Sequence, residues 1–103
     1  MSNTEKELEE SCKCIADELD DIASGVSEQS IHDYFEDALD IRFEVDMRRE
    51  LCGGKILVAC GGPNIWVYDD RVVGYWGASS TEYYLTGAAK DAVYDYLFDL
   101  YNL

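Results

Sequence analysis

The spacing of the apolar residues changes near residue 41, and this change points to a fold that combines helices with a sheet. Before that point the apolar residues recur every three or four positions, which is the period of an α-helix. After it they alternate with polar residues or form short runs, as β-strands do. The first helix is predicted from about Thr4 to Ser24, with one apolar stripe: Leu8, Cys12, Ile15, Leu19 and Ile22.

A second helix is predicted after Gly25, which offers the first helix a C-terminal stop. Ser27 or Ser30 can cap it, because a serine oxygen accepts a hydrogen bond from the first free amides of a helix. Its apolar face comprises Ile31, Tyr34, Phe35, Ala38 and Leu39. Its opposite face comprises Asp33, Glu36, Asp37 and Asp40.

Four strands are predicted in the middle of the chain, at 41–48, 55–60, 65–68 and 71–76. The first alternates apolar and charged residues, and the second is apolar on both faces. Gly53-Gly54 is predicted to break the chain, and turns are predicted at 61–64 and at Asp69-Asp70. Residues 77–81 are predicted as a loop, and residues 82–85 fit either a short edge strand or the start of a helix. The last helix follows the cap Thr86, and its apolar face comprises Ala89, Val93, Tyr96, Leu97 and Leu100.

The predicted fold class is therefore α+β, in the order α-α-β-β-β-β-α. The sheet is predicted to have three to four strands and to be mostly antiparallel, because its connections are short. The 103 residues fit a single domain. It divides into an acidic helical part at 1–40, a β-rich part at 41–85 and a C-terminal helix at 86–103.

The charge is unevenly distributed along the chain. There are 22 acidic side chains against 8 basic ones, a net charge of −14, and residues 1–40 alone contribute −11. This balance argues against direct binding of DNA or RNA, which requires cations to meet the phosphates. It also argues against attachment to an anionic membrane surface. No apolar run approaches the length of a membrane span, so a cytoplasmic location is expected.

Few residues offer catalysis or metal binding. His32 stands beside carboxylates on a predicted helix, which is typical of a solvated surface residue. Gly53-Gly54-Lys55 lacks the Ser or Thr that follows the lysine of a P-loop. The cysteines lack the C-x₂-C spacing of zinc and redox motifs and are predicted to be structural thiols: Cys12, Cys14, Cys52 and Cys60. We therefore expect a protein that is not an enzyme, with no cofactor and no metal.

The acidic residues of the two predicted helices form the candidate binding site. Carboxylates three or four positions apart on a helix stand about 5–6 Å from one another. This is comparable with the repeat of phosphates along a nucleic-acid strand, about 3.4 Å of axis. Such an array can occupy a cationic groove that normally holds nucleic acid, although acidic faces also serve solubility alone. The predicted partner-binding residues are Glu10, Asp17, Asp20, Asp21, Asp33, Glu36, Asp37 and Asp40.

The second half of the chain resembles a known group of proteins. The resemblance covers roughly residues 41–103 and centres on Gly61-Gly62-Pro63-Asn64-Ile65 and Gly74-Tyr75-Trp76. It is to small proteins of phages, plasmids and other mobile elements of Firmicutes that inhibit CRISPR–Cas immunity, most of all type II Cas9. The resemblance implies a non-enzymatic protein that binds a bacterial nuclease. The acidic first forty residues lie outside it.

These observations give a hypothesis and its alternatives. The chain is predicted to block the nucleic-acid channel of Cas9, or of its complex with guide RNA, by mimicking DNA. One alternative is an acidic adaptor or self-associating module that uses the exposed sheet or the stripe along 8–22. Another is inhibition of a restriction enzyme by the same mimicry. The sequence leaves open a homodimer, and also whether the interface is the acidic face or the aromatic residues of the sheet.

Overall fold

The predicted α+β class is confirmed by the computed structural model, which describes residues 3–103, with side chains from residue 5 onward. The described helices and strands are α1 (Asn3–Ser24), α2 (Ile31–Tyr34), β1 (Asp40–Val45), β2 (Leu51–Ala59), β3 (Asn64–Tyr68), β4 (Arg71–Trp76), β5 (Ser79–Tyr84) and α3 (Gly87–Tyr101). The strands form one antiparallel sheet in the order of the chain, β1-β2-β3-β4-β5. Helix α1 packs on β4 and β5, and α3 packs on β2 and against α1.

The sheet has five strands rather than three to four. Residues 79–84 pair with β4 over their whole length, from Ser79 opposite Trp76 to Tyr84 opposite Arg71. The predicted loop at 77–81 is therefore only a two-residue turn. Gly77 makes this turn tight, because it adopts the left-handed region with φ 59°.

The core is formed by the stripe of α1, the inner side of the sheet and one side of α3. Leu8, Cys12 and Leu19 are buried as predicted, and Ile15 packs against the core. Ile22 is half-buried and lies outside this cluster, where Ala16 takes part instead. At the other end of the chain Thr86 caps α3, as predicted, by accepting a hydrogen bond from the Ala89 amide at 3.3 Å.

The second predicted helix is wrong beyond its first turn. Ser30 does cap it, accepting a hydrogen bond from the Asp33 amide at 3.1 Å, but α2 ends at Tyr34. Phe35 leaves the helix and is buried, with its ring 5.0 Å from that of Tyr96 in α3. The chain then joins the sheet, where the Leu39 amide donates to the Leu57 carbonyl. Burying the Phe35 ring and starting β1 require the backbone to turn here.

The predicted break at Gly53-Gly54 is also wrong, because both glycines lie inside β2. A Cβ atom on Gly54 would stand 2.5 Å from the Arg42 carbonyl oxygen and 3.3 Å from the Leu97 side chain. Glycine is therefore required for close packing between β1, β2 and α3 rather than for a turn. The turn comes earlier, at Asp46, whose carboxylate accepts hydrogen bonds from the backbone amides of Arg48 and Glu50. This ends β1 at Val45, three residues before the predicted end.

We expect Gly54→Ala to lower the free energy of unfolding by about 1–3 kcal/mol, because the added methyl group overpacks a closed site. Gly87→Ala is the matched control, since a Cβ atom there meets nothing within 4 Å. It should change the free energy by no more than about 1 kcal/mol. Urea denaturation of both variants checks this, and equal midpoints for the two would contradict it.

Candidate functional site

The three helices carry most of the charge in the folded protein. Together they hold twelve carboxylates and three lysines, whereas the five strands hold three carboxylates and three cations. We call α1, α2 and α3 the helical layer, because α1 and α3 cover one face of the sheet. The opposite face, which these helices do not cover, is called the open face. The segregation seen along the sequence is therefore also a segregation between two sides of the molecule.

The structure divides the eight predicted binding residues among different sites. Glu10, Asp17 and Asp21 are exposed on α1. Asp20 is half-buried and accepts a hydrogen bond from the Thr86 hydroxyl at 2.6 Å, which ties α1 to the start of α3. The four on α1 thus share one helix, as predicted. Asp20, however, has a structural contact inside the protein.

The other four do not form a helical face, because α2 is only one turn long. Asp33 lies within that turn, while Glu36 and Asp37 are exposed in the irregular segment that follows it. Asp40 is the first residue of β1, and its carboxylate accepts a hydrogen bond from Arg42 Nε at 2.9 Å. By the alternation of side chains along a strand, Asp40 belongs to the open face. The predicted array of eight carboxylates on two adjacent helices is therefore wrong for this half.

Helix α2 is held between the two long helices by contacts at both ends. Tyr34 is hydrogen-bonded to Glu18 of α1, and burial raises the pKa of Tyr34, with the Glu18 hydrogen bond and charge raising it further. On the other side His32 Nε2 lies 3.7 Å from an Asp99 carboxylate oxygen of α3. The His32 ring also meets the Tyr96 ring edge-on at 4.9 Å. These contacts give His32 a packing role on the surface of the helical layer.

The open face holds a feature that sequence reasoning missed. Residues that pair across an antiparallel sheet project to the same face. The register pairs Arg42 with Lys55, Lys55 with Tyr68 and Arg71 with Tyr84, and the Arg71 guanidinium lies over the Tyr68 ring. We call this set, with one residue from each of the five strands, the cation–aromatic row: Arg42, Lys55, Tyr68, Arg71 and Tyr84. Three of the eight basic residues of the chain therefore meet in a single row across the sheet.

The cations of this row lie over aromatic rings. The Lys55 ammonium is 4.4 Å from the ring centre of Trp66, and the Arg71 guanidinium is 4.7 Å from that of Tyr68. Such contacts stabilise a cation over a ring face by about 0.5–1 kcal/mol at exposed sites. Arg71 is also paired with Asp70 at 2.9 Å and Glu82 at 3.3 Å. The row therefore carries three cations that neighbouring carboxylates offset only in part, unlike the helical layer, where carboxylates predominate.

The signal for this row was present but incomplete in the sequence. Trp66 and Tyr68 stand two apart, which puts them on one face of β3. Lys55 and Arg71 lie beside these rings only because of the register between the strands, which the sequence pattern does not reveal. That register depends on a bulge in β2 and on a strand that continues through Gly53-Gly54.

The cysteines do not meet. All four are free, with Cys12 buried and Cys14, Cys52 and Cys60 exposed. Burial raises the pKa of Cys12 to about 11. Within residues 3–103 no group of three or more His, Cys, Asp or Glu side chains is arranged to hold a metal ion. None of the described helices is long and apolar enough to cross a membrane.

The fold defines the class of this protein as an α+β domain with a five-stranded antiparallel meander covered on one face by helices. Comparison with models of protein families, with curated proteins and with solved structures gives no match to this chain. The function of this chain is therefore inferred from the helical layer and the open face.

The reactivity of the Cys14 thiol reports on the negative electrostatic potential of the helical layer. Its thiol donates to Glu18 at 3.1 Å, and this hydrogen bond, followed by the charge of Glu18, raises the pKa of Cys14. Glu18→Gln removes the charge, so Cys14 should be alkylated several-fold faster at mildly alkaline pH, because more of it is thiolate. Mass spectrometry of iodoacetamide-treated protein measures the rate. Glu10→Gln, four residues before Cys14, removes a charge but no hydrogen bond and should accelerate alkylation much less. An equal acceleration in both variants would contradict the assignment to Glu18.

Proposed function

We propose that this chain is a non-enzymatic acidic inhibitor that binds a bacterial nuclease, with Cas9 or its guide-RNA complex as the first candidate. The helical layer would occupy the nuclease's nucleic-acid-binding channel in place of DNA. The observation that supports this most is the concentration of twelve carboxylates against three lysines on the helices. The resemblance of residues 41–103 to inhibitors of type II Cas9 favours the same class of partner.

The spacing of the exposed carboxylates fits such a role. Glu10, Asp17 and Asp21 lie along the exposed side of a helix of 22 residues. At about 1.5 Å of rise per residue, α1 is about 33 Å long, comparable with one turn of duplex DNA. A channel lined by Lys and Arg to hold a nucleic-acid backbone would meet similar negative charge on this helix.

Keeping this charge costs the protein stability. Like charges three or four residues apart on a helix destabilise it by about 0.2–0.5 kcal/mol per pair. The two lysines of α1, Lys6 and Lys13, compensate only part of its eight carboxylates. A cationic partner relieves this repulsion on binding, which favours the complex and speeds its formation through long-range attraction.

The first test is cleavage of a matched DNA duplex by guide-loaded Cas9 in the presence of this protein. The wild type should inhibit, and Glu10→Lys with Asp17→Lys should weaken inhibition at least ten-fold while the protein stays folded. Both side chains are exposed, so neither substitution disturbs the core. Inhibition should also weaken steeply as salt rises, because exposed charges attract less in strong electrolyte.

The matched control is Glu28→Lys with Glu50→Lys, which changes the net charge by the same amount outside the helical layer. Both residues are exposed, in the loop after α1 and in the turn after β1. This control should inhibit almost as well as the wild type. Equal losses of inhibition in the two double variants would show that net charge alone matters. Full inhibition by the α1 variant would contradict binding through the helical layer.

A second candidate function is an adaptor or interaction module that uses the open face. The cation–aromatic row favours it, because exposed aromatic residues beside arginine are typical of interfaces. The apolar stripe of α1 does not serve this role, since Leu8, Cys12 and Leu19 are buried in the core. Tyr75→Ser with Tyr84→Ser separates the two candidates. Loss of partner binding here, with retention in the α1 variant, would favour the module.

The same mimicry also fits a restriction enzyme or another DNA-binding protein. If Cas9 orthologues are not inhibited, the same α1 and control variants can be tested for inhibition of DNA digestion by a restriction enzyme. Inhibition of that enzyme by the wild type, lost in the α1 variant, would support binding through the helical layer to a partner other than Cas9.

A further inference from the structure

Strand β1 forms one edge of the sheet, and the helical layer covers its inner side only in part, where the Phe43 ring lies 5.4 Å from the Tyr101 ring of α3. Helix α1 packs on β4 and β5, and α3 packs on β2. On the same side, Phe43 and Val45 of β1 remain 37% and 46% exposed, and Met47 in the following turn is fully exposed. Phe98 of α3 lies 49% exposed on that side too. An apolar strip therefore continues from the core to the edge of the molecule.

The backbone of this edge is also unpaired within the described fold. Strand β1 pairs only with β2, so its other side presents free amide and carbonyl groups. Edge strands are commonly protected by charged side chains, most of all lysine, by proline or by a bulge on the strand itself. The six residues of β1, Asp40–Val45, include neither lysine nor proline, and the three charged residues among them carry both signs, so they can pair with a second strand. The bulge of this ladder lies on β2, where Glu44 pairs with Gly53 and Val45 pairs with Leu51.

A second copy of this chain is the partner that β1 fits. Two β1 strands related by a two-fold axis through Phe43 would pair antiparallel, with Phe43 opposite Phe43 of the second copy. In this register Arg42 lies opposite Glu44 of the second copy, and Ile41 lies opposite Val45. One step further, the exposed Leu39 lies opposite the exposed Met47. Opposite charges then meet on the open face and apolar side chains meet on the inner face, as cross-strand pairing favours.

Other two-fold registers agree less well with the sequence. Centring the axis on Arg42 would set Arg42 against itself and Asp40 against Glu44. Centring it on Glu44 would oppose two glutamates. A shift by a single residue would turn the apolar side of one strand against the charged side of the other. Centring on Ile41 would pair Asp40 with Arg42 but would overlap fewer residues of the strand.

We propose that the protein forms a homodimer through β1, which joins two sheets into one of ten strands. One cross-strand pair of this register is unfavourable, because Asp40 of one copy would lie opposite Asp46 of the other and the two carboxylates repel. Both carboxylates already accept hydrogen bonds, Asp40 from Arg42 and Asp46 from two turn amides. The two-fold axis is perpendicular to the sheet, so both helical layers lie on the same side. The dimer then presents an acidic surface twice as wide as that of one copy.

The expected affinity is moderate. A stable interface buries about 1,000 Å² or more in total, and a single strand pair needs the flanking apolar residues to approach this area. Two copies of net charge −14 also repel each other. We therefore expect a micromolar dimer that becomes tighter as salt rises from low to physiological concentration, because salt screens the repulsion.

Sedimentation velocity from low to several hundred micromolar protein tests this, with two matched valine variants. Val45→Lys places a charge on the proposed edge, and Val26→Lys places the same charge in the loop after α1. Both valines are exposed, at 46% and 74%, so both variants should fold. We expect Val45→Lys to be monomeric and Val26→Lys to dimerise like the wild type. A monomeric wild type, or a dimer that survives Val45→Lys, would overturn the proposal.

Cross-linking tests the register independently. In a background in which Cys14, Cys52 and Cys60 are serine, Phe43→Cys brings two thiols to directly opposed positions, about 4.5–5.5 Å apart at Cα. Glu44→Cys sets them diagonally, beyond the roughly 7 Å at which a disulfide closes. Under mild oxidation Phe43→Cys should form a covalent dimer and Glu44→Cys should not. The reverse pattern, or no cross-link from a dimeric protein, contradicts the register.

Salt separates this dimer from a head-to-tail contact, in which the helical layer of one copy would cover the cation–aromatic row of the next. Such a contact depends on attraction between opposite charges and weakens as salt rises. It would also extend into longer chains of molecules rather than close as a pair. Weakening of self-association by salt, or growth beyond a dimer, therefore counts against the β1 dimer.

Discussion

The close approach of α1 to β4 is the contact on which the rest of the structure depends. A Cβ atom on Gly74 would stand 2.6 Å from the Cys12 sulfur and 2.8 Å from a methyl carbon of Leu8. Only a glycine lets the helix lie this near to the strand. Because Leu8, Cys12 and Leu19 are then almost fully buried, α1 gains enough apolar contact to stay folded on the sheet. Each fully buried leucine contributes about 1.5–3 kcal/mol relative to exposure.

That apolar contact offsets the repulsion among the carboxylates of α1. A helix with eight acidic residues and two lysines is not expected to be stable in isolation, because two lysines can pair with only a few of its carboxylates and the others repel one another. Attached to the sheet, it is held by its stripe, by the Thr86–Asp20 hydrogen bond and by the Tyr34–Glu18 contact. The last two join carboxylates to neutral donors, so they hold the layer together without neutralising it.

The sequence predicted the elements well where a local signal decided them, and poorly where a distant contact did. The period of α1, the caps Ser30 and Thr86 and the turn at Asp69-Asp70 are local features, and the structure confirms them. The length of α2 depends on the burial of Phe35 against Tyr96, which no local pattern reveals. The predicted binding residues show the same difference between local signals and distant contacts. The acids of α1 share a helix as predicted, whereas the place of Asp40 depends on where β1 begins.

The opposite placement of the two charged surfaces restricts how the protein can act. Since the helical layer and the open face lie on either side of one sheet, a flat partner can contact only one of them. A cleft or a second protein is needed to engage both. The edge at β1 faces neither direction, so a dimer formed there leaves both surfaces free. Because its axis is perpendicular to the sheet, it also keeps the two acidic layers side by side. Self-association through β1 and binding of a cationic partner are therefore compatible, and the first widens the surface available to the second.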